Sequence, residues 1–275
     1  MPTPARPIMV ATDLSPRSDR AVDRALQLAG QFGVRAVVVH ALEKGSPLEA
    51  EPGLADAAIR AALPDPQAEV DIVPALGQAP ATIAEAARSA GCGLIVTGVA
   101  RLNHLGDYVT GTAVDHVVRH AAVPVLVVKQ RPRGPYRSIL VASDFSTCSR
   151  SALLGAATLF PDVALHLVHA YHVPYESWLK SDGVKEEIAE NAQKDLDAFL
   201  ADPAIPGSVR ARVTPHLGYG ELHTVITRTA REVGADLVAL GTHGRSGFVQ
   251  AIVGSAAQEL LRWVPYDALM LREQA

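Results

Sequence analysis

The stretch from Gly77 through Val128 can be laid on Gly220 through Leu271 without a gap, setting Gly77 on Gly220, Ile83 on Ile226, Gly91 on Gly234, Gly98 on Gly241, Gly111 on Gly254 and Arg119 on Arg262. A chain that repeats itself over this length folds as two copies of one module. Glycines kept at the same points of two otherwise diverged copies mark backbone turns that both copies need. A second pair of matching segments, Val10-Ala11-Thr12-Asp13-Leu14-Ser15 and Val141-Ala142-Ser143-Asp144-Phe145-Ser146, carries the repeat back to the start of each half. Between the halves lies Arg131-Pro132-Arg133-Gly134-Pro135-Tyr136, whose prolines and charges suit an exposed, stiff connector. The expected domains are therefore residues 1–131 and 137–275, each long enough to bury its own core.

Short apolar runs alternate with helical patterns in each copy. The runs are Ile8 to Ala11, Ala36 to His40, Val70 to Val73, Leu94 to Thr97 and Val125 to Val128, then Ile139 to Ala142, Ala164 to His169, Arg210 to Thr214, Leu237 to Leu240 and Ala268 to Leu271. Runs rich in Val and Leu without polar alternation predict parallel strands buried on both faces. Ala21 to Ala29 and Ile83 to Ala87 place apolar residues three and four apart and read as amphipathic helices between the strands. Right-handed crossovers then give an α/β fold: two open, doubly wound, parallel-sheet, Rossmann-like domains in tandem. Ligands of such sheets sit beyond the C-terminal strand ends, where Asp13 and Asp144 follow the first strand of each copy.

Composition narrows the class of partner. No apolar run reaches the roughly 18 residues of a membrane span, and Met1 to Pro7 leads directly into a strand with no signal-peptide apolar region. A net charge of -4 provides no broad basic field for nucleic acid. Cys92 and Cys148, one in each half, make neither a disulfide framework nor a Cys-x2-Cys site. The expected protein is cytoplasmic, with no membrane and no nucleic acid among its partners.

The chemistry concentrates after the fourth strand of the second copy. Gly241-Thr242-His243-Gly244-Arg245, followed by Val253-Gly254-Ser255-Ala256-Ala257, has the frame Gly-x2-Gly-x9-Gly-Ser between a buried strand and a helix. Gly241 and Gly244 bracket a tight strand exit, where a Cβ would block close approach of the backbone to a phosphate or impose a positive-φ cost. Arg245 can lie against the anion, while Gly254 and Ser255 open a helix whose N-H groups and dipole favour negative charge by about 0.3–1 kcal/mol. Ser255 either caps that helix or donates its hydroxyl to a phosphate. Asp144 accepts from ribose or adenine groups or helps hold Mg2+; the other reading for Asp144 and Asp13 is a cap on the following helix. In the first copy the frame is damaged. Arg101 replaces the second glycine and Asp107 adds a negative charge to the spacer, although Arg101 as a clamp over phosphates is the opposing reading.

With these residues in view, both copies resemble the universal stress protein A family, and the chain resembles a tandem member of it. Gly241-x2-Gly244-x9-Gly254-Ser255 matches that family's ATP-binding signature in full, Thr242-His243-Gly244-Arg245-Ser246-Gly247 is similar to its commonest wording, and the match covers nearly the whole chain. The resemblance implies an adenine nucleotide α-hydrolase-like fold and ATP, with Mg2+, as cofactor. It implies that Asp144 and the second-strand end near Ala170 contact the adenosine part, Gly241 and Gly244 the ribose and phosphates, and Gly254, Ser255 and Ala256 the phosphates. Family dimers pair through their last strands, so intramolecular pairing of the domains and a homodimer are both implied. Asp267 stands where the family usually has proline and bears on that edge.

The remaining features carry less. On a strand, His166 and His172 point one way and His169 the other, so they make no ready ligand set. His116 and His120 are spaced i, i+4 on a helix without a suggested third ligand, and no metal site is assigned. Cys148, close after Asp144, reads as a buried inert thiol, with oxidant sensing the other option. Gly-x4-Gly-Lys-Ser/Thr is absent, as is Gly-x-Gly-x2-Gly, and no nucleophile and base are paired, so no catalytic residue is assigned. The expected function is a stress-response module in which ATP occupancy of the second domain acts as sensor or conformational switch. Two alternatives remain: a slow ATPase using Asp144 with His243 or Arg245, and a scaffold with neither cleft filled. An insert from about Pro174 to Pro203 contains the helix-like run Val184 to Glu190, expected to pack over the sheet.

Overall fold

The computed structural model describes residues 6–99, 113–172, 182–242 and 254–273. It divides into two compact units, Met1–Pro135 with Pro265–Met270, and Tyr136–Val264 with Leu271–Ala275. The division falls in the proline-containing connector, and it differs from two contiguous domains in one segment, Pro265–Met270, which counts with the first unit.

The first unit builds on five parallel strands, β1 (Ile8–Ala11), β2 (Ala36–Leu42), β3 (Val70–Leu76), β4 (Leu94–Gly98) and β5 (Val125–Val128), in the order β3-β2-β1-β4-β5. Its helices are α1 (Asp19–Phe32), α2 (Pro47–Ala50), α3 (Pro52–Ala61), α4 (Ala79–Ser89) and α5 (Ala113–His120). The second unit repeats the plan with β6 (Ser138–Ala142), β7 (Ala164–Tyr171), β8 (Val213–Tyr219) and β9 (Leu237–Gly241) in the order β9-β6-β7-β8, again parallel. Its helices are α6 (Thr147–Leu159), α7 (Asp182–Ala201), α8 (Gly207–Arg210), α9 (Leu222–Glu232) and α10 (Ser255–Trp263), and β10 (Asp267–Leu271) closes the chain. The apolar runs are the cores: Ile8, Met9 and Val10, Leu94 to Val96, Ile139 to Val141 and Leu237 to Ala239 are all nearly inaccessible to water. Gly91 and Gly234, paired by the repeat, have φ of 63° and 60°, a left-handed turn used twice.

Two expectations change. The run Arg210 to Thr214 is not one strand: Gly207–Arg210 makes a helical turn and β8 begins at Val213. β8 is a sheet edge, carries Pro215 in its middle and is partly exposed along its length, so no apolar run marks it. Nor are all strands parallel. β10 runs antiparallel to β5, with Ala268 opposite Val127, Leu269 opposite Leu126 and Met270 opposite Val125.

Asp267 begins that antiparallel strand and is buried. Its Oδ1 accepts from the amides of Lys129 at 2.8 Å and Gln130 at 2.9 Å, and its Oδ2 lies 3.6 Å from Nε of the buried Arg24. Arg24 also donates to the Gly134 carbonyl and the Gln27 side chain. Burial pulls the Lys129 ammonium down to about 8, against the opposing pull of the Asp267 charge.

In the second unit the sheet has a distinct cover on each face. A Cβ at Gly218 would run into Val225 of α9, so the even-numbered positions of β8 face α9. Tyr219 points to the other face, where Lys185 of α7 lies 5.3 Å from its ring centroid. The expected helix of the insert is α7. It is solvated on one side and buries Ala192, Leu196 and Phe199 on the other.

Candidate functional site

The end of β6 sets up a braced turn. Ser143 Oγ accepts from the Phe145 amide at 3.0 Å and lies 3.0 Å from Ser149 Oγ, which donates to the Ser146 carbonyl. Asp144 Oδ1 accepts from the Ser146 amide at 3.1 Å. Phe145 is thereby held at φ 62°, a left-handed conformation costing roughly 1–2 kcal/mol in an L residue. Its ring offsets that cost by stacking on His169, centroids 4.3 Å apart, and packing near Phe199 at 5.5 Å. His169 Nδ1 sits 2.8 Å from the Ser143 carbonyl. A carbonyl only accepts, so the ring carries a proton on Nδ1, and the strand is tied to the turn.

The reading of Asp144 as a helix cap does not hold. α6 is capped by Ser146, whose hydroxyl accepts from the Ser149 amide. Asp144 instead braces the turn before the helix and stays half-buried at the strand edge. The first unit has the same construction: Asp13 accepts from the amide and hydroxyl of Ser15, Leu14 stands at φ 59°, and His40 Nδ1 lies 2.9 Å from the Thr12 carbonyl. Ser18, not Asp13, takes the cap position of α1.

Across the sheet, β9 delivers the glycine loop. Ala142 pairs with Leu240 on one side and Val168 on the other, so the ends of β6, β7 and β9 lie at one level. Asp144, Ala170 and Gly241 therefore occupy the same C-terminal edge, with Asp144 and Gly241 flanking the place where strand order reverses. Ala170 pairs with Gly218 and is half-buried. Gly241 has a packing reason beside the expected one. A Cβ there would stand 2.9 Å from Cys148 Sγ and 3.0 Å from the Cys148 carbonyl carbon and oxygen, so the glycine lets β9 pack on the first turn of α6. Gly98 does the same in the first unit, where the nearest atom is the Arg17 carbonyl oxygen at 3.3 Å.

Thr242 follows, buried, with its amide donating to the Leu271 carbonyl and its carbonyl accepting from the Gly254 amide at 2.8 Å. That bond brings together the two residues that flank 243–253. Gly244 and Arg245 lie outside the described residues, as do His243 and, in the first unit, Arg101, Asp107 and Gly111. Gly254 is the N-cap of α10 and Ser255 its first residue, so Ser255 is not the cap. The Gly254 amide donates to Thr242, and the next amides of the first turn, which have no partner within a helix, are those of Ser255 and Ala256.

The other candidates sort differently. Cys148 is buried against Gly241 with Sγ 3.9 Å from the Leu271 carbonyl, a packing role. His116 and His120 stack at 4.0 Å, and burial, with the nearby His120 and Arg119, lowers the His116 imidazole. Among the described residues no group of three or more His, Cys, Asp or Glu side chains is placed to hold a metal ion. His166, which sequence places on the same side of its strand as His172, lies 3.0 Å from His216 across β7 and β8. That contact depends on inter-strand register, which sequence spacing does not carry. The roles of His40 and His169 were hidden likewise, because the repeat is interrupted before them.

A family model described as the universal stress protein family matches residues 4–129 and again 135–272. A Staphylococcus epidermidis protein named for that family is 29% identical over 143 residues, covering 50% of this chain and 86% of the relative. Among solved structures, a functionally unknown protein from Pseudomonas aeruginosa aligns with a TM-score of 0.66 at 21% identity, covering 98% of this chain and 94% of its own. A universal stress protein from Archaeoglobus fulgidus aligns with a TM-score of 0.62 at 18% identity, covering 98% and 96%. At these identities the two structures speak for the fold alone.

Proposed function

Because the chain belongs to the universal stress protein family along both halves, we propose that its second unit binds ATP, with Mg2+, at the C-terminal edge of β6, β7 and β9, and that occupancy acts as a conformational switch or sensor under stress. The observation that carries this is the Thr242 carbonyl to Gly254 amide bond. It holds the start of a nine-residue helix at the end of β9, one strand from Asp144. A helix start with unused amides favours phosphate, and an adjacent carboxylate at the strand-order reversal suits the polar end of a nucleoside.

The residues fit such a ligand. Asp144, held by its own turn, faces the edge where a ribose or adenine would sit, with Ala170 as a small wall beside it. The amides of Ser255 and Ala256 take phosphate oxygens, and Gly244 and Arg245 complete the loop over them. Mg2+ neutralises phosphate charge when bound. It keeps several waters and needs only one or two carboxylates, so the lack of a protein cage among the described residues is compatible with it. No helix of the described residues is long and apolar enough to cross a membrane, and we place the protein in the cytoplasm.

ATP titrated into the full chain tests the reading. Gly244→Arg, which copies the first unit's Arg101 into the second loop, weakens binding at least about tenfold, or roughly 1.4 kcal/mol, while leaving the unfolding midpoint within about a degree. Undiminished affinity in that variant refutes the assignment of the loop.

A further inference from the structure

His166 Nδ1 and His216 Nε2 face each other at 3.0 Å, ring centroids 5.2 Å apart, on neighbouring strands of the second unit. Register explains the meeting: His166 lies opposite Thr214 and Val168 opposite His216, so the two imidazoles are diagonal neighbours on one face. That face is covered by α9, and both rings are half-buried. β8 is the edge strand. Two nitrogens with no third donor among the described residues are too few for a metal cage, but they are enough to share one proton.

We propose that His166 and His216 form a one-proton clasp that holds edge strand β8 against β7 at neutral pH and releases it on acidification. With both rings neutral, one N-H lies between the facing nitrogens and the contact is a hydrogen bond. A second proton on that axis sets N-H against N-H and two positive rings face to face, so full protonation requires the strands to part. The surroundings do little to relieve this. From α9 the charged group acting on His216 is Glu232, exposed and 4.0 Å from Arg228. β6 sets the apolar Leu140 beside His166. α7, with Lys185, covers the opposite face. Burial is the largest cause lowering both imidazoles; His216 adds to it for His166, while Glu232 opposes it for His216. The sign follows: the opened strand takes up protons near the ordinary histidine value of about 6.5, the closed one resists, so protection is full above that pH and is lost as pH falls through it.

Hydrogen exchange of the β8 amides in the full chain, corrected for the intrinsic pH dependence of exchange, reads this directly. Between pH 7.5 and 5.5, opening rises by up to about tenfold per pH unit below about 6.5 for each proton taken up, and β1 and β2 amides do not follow. His216→Gln keeps a polar side chain that does not titrate, so its β8 protection stays within about threefold across that range. A flat wild-type profile, or the same loss in His216→Gln, overturns the proposal. If the variant does not fold, nitrogen-15 imidazole titration of the wild type decides: one shared proton taken up by the folded pair supports the clasp, and two independent protonations near 6.5 overturn it.

Discussion

Gly241→Ala separates two reasons for a glycine at the end of β9. If the glycine serves only to let a phosphate approach, the ligand-free protein is indifferent to a methyl group there. The packing predicts otherwise. The new Cβ stands 2.9 Å from Cys148 Sγ and 3.0 Å from the carbonyl carbon and oxygen of the same residue. The sulfur can rotate, but the two backbone atoms belong to the first turn of α6, whose start is fixed by the Ser146 cap. Relief therefore requires β9 and α6 to move apart, an overpacking cost of about 1–3 kcal/mol, which for a unit of this size is a fall in Tm of roughly 3–10 °C. Gly98→Ala meets its nearest atom only at 3.3 Å and costs less, under about 1 kcal/mol. Adding Cys148→Ala to Gly241→Ala removes the sulfur contact and restores only part of the loss. Urea unfolding without nucleotide measures all three, followed by a probe within residues 136–264 for the Gly241 variants and by one within residues 6–135 for Gly98→Ala. Gly241→Ala within 0.5 kcal/mol of wild type, or below the cost of Gly98→Ala, refutes the packing account.

The two left-handed residues respond oppositely to glycine. Leu14→Gly removes strain at φ 59° and is neutral or stabilising by up to about 1 kcal/mol, whereas Phe145→Gly removes the same strain but also the ring stacked on His169 and costs about 2–4 kcal/mol in the same unfolding assay. Asp267→Ala leaves the amides of Lys129 and Gln130 and the buried Arg24 without their carboxylate and costs about 3–5 kcal/mol, read as lost hydrogen-exchange protection in β5 and β10. Asp267→Asn retains an acceptor for both amides and loses less.

What the chain discloses in advance follows from how local each determinant is. β1, β5, β6 and β9 are buried on both faces, so unbroken apolar runs such as Val125 to Val128 delimit them to within a residue. Edge strands lack that signature. β8, with Pro215 and Gly218, begins several residues later than expected because it is only partly buried and carries no apolar run. Asp144 and Gly241 stand out by position after a strand, yet their contacts depend on groups brought in by folding: Ser146 takes the cap, and Cys148 packs where a Cβ on Gly241 would stand. Ser146 was legible as a hydroxyl ahead of an apolar helix. His169 at Ser143 and His166 at His216 were not, since both contacts require knowing which strands adjoin and in what register.

The repeated turn is one construction kept in both units. Thr12-Asp13-Leu14-Ser15 and Ser143-Asp144-Phe145-Ser146 hold the same strained backbone, each tied to its second strand by a histidine. Among the described residues the brace consists of hydrogen bonds within the turn and to the second strand. Gly98 and Gly241, at the ends of β4 and β9, meet the start of the first helix of their unit, ahead of the position at which the copies part in sequence into Arg101 and Gly244. The first unit, whose sequence has Arg101 where the second has Gly244, thus holds Asp13 in the same turn as Asp144.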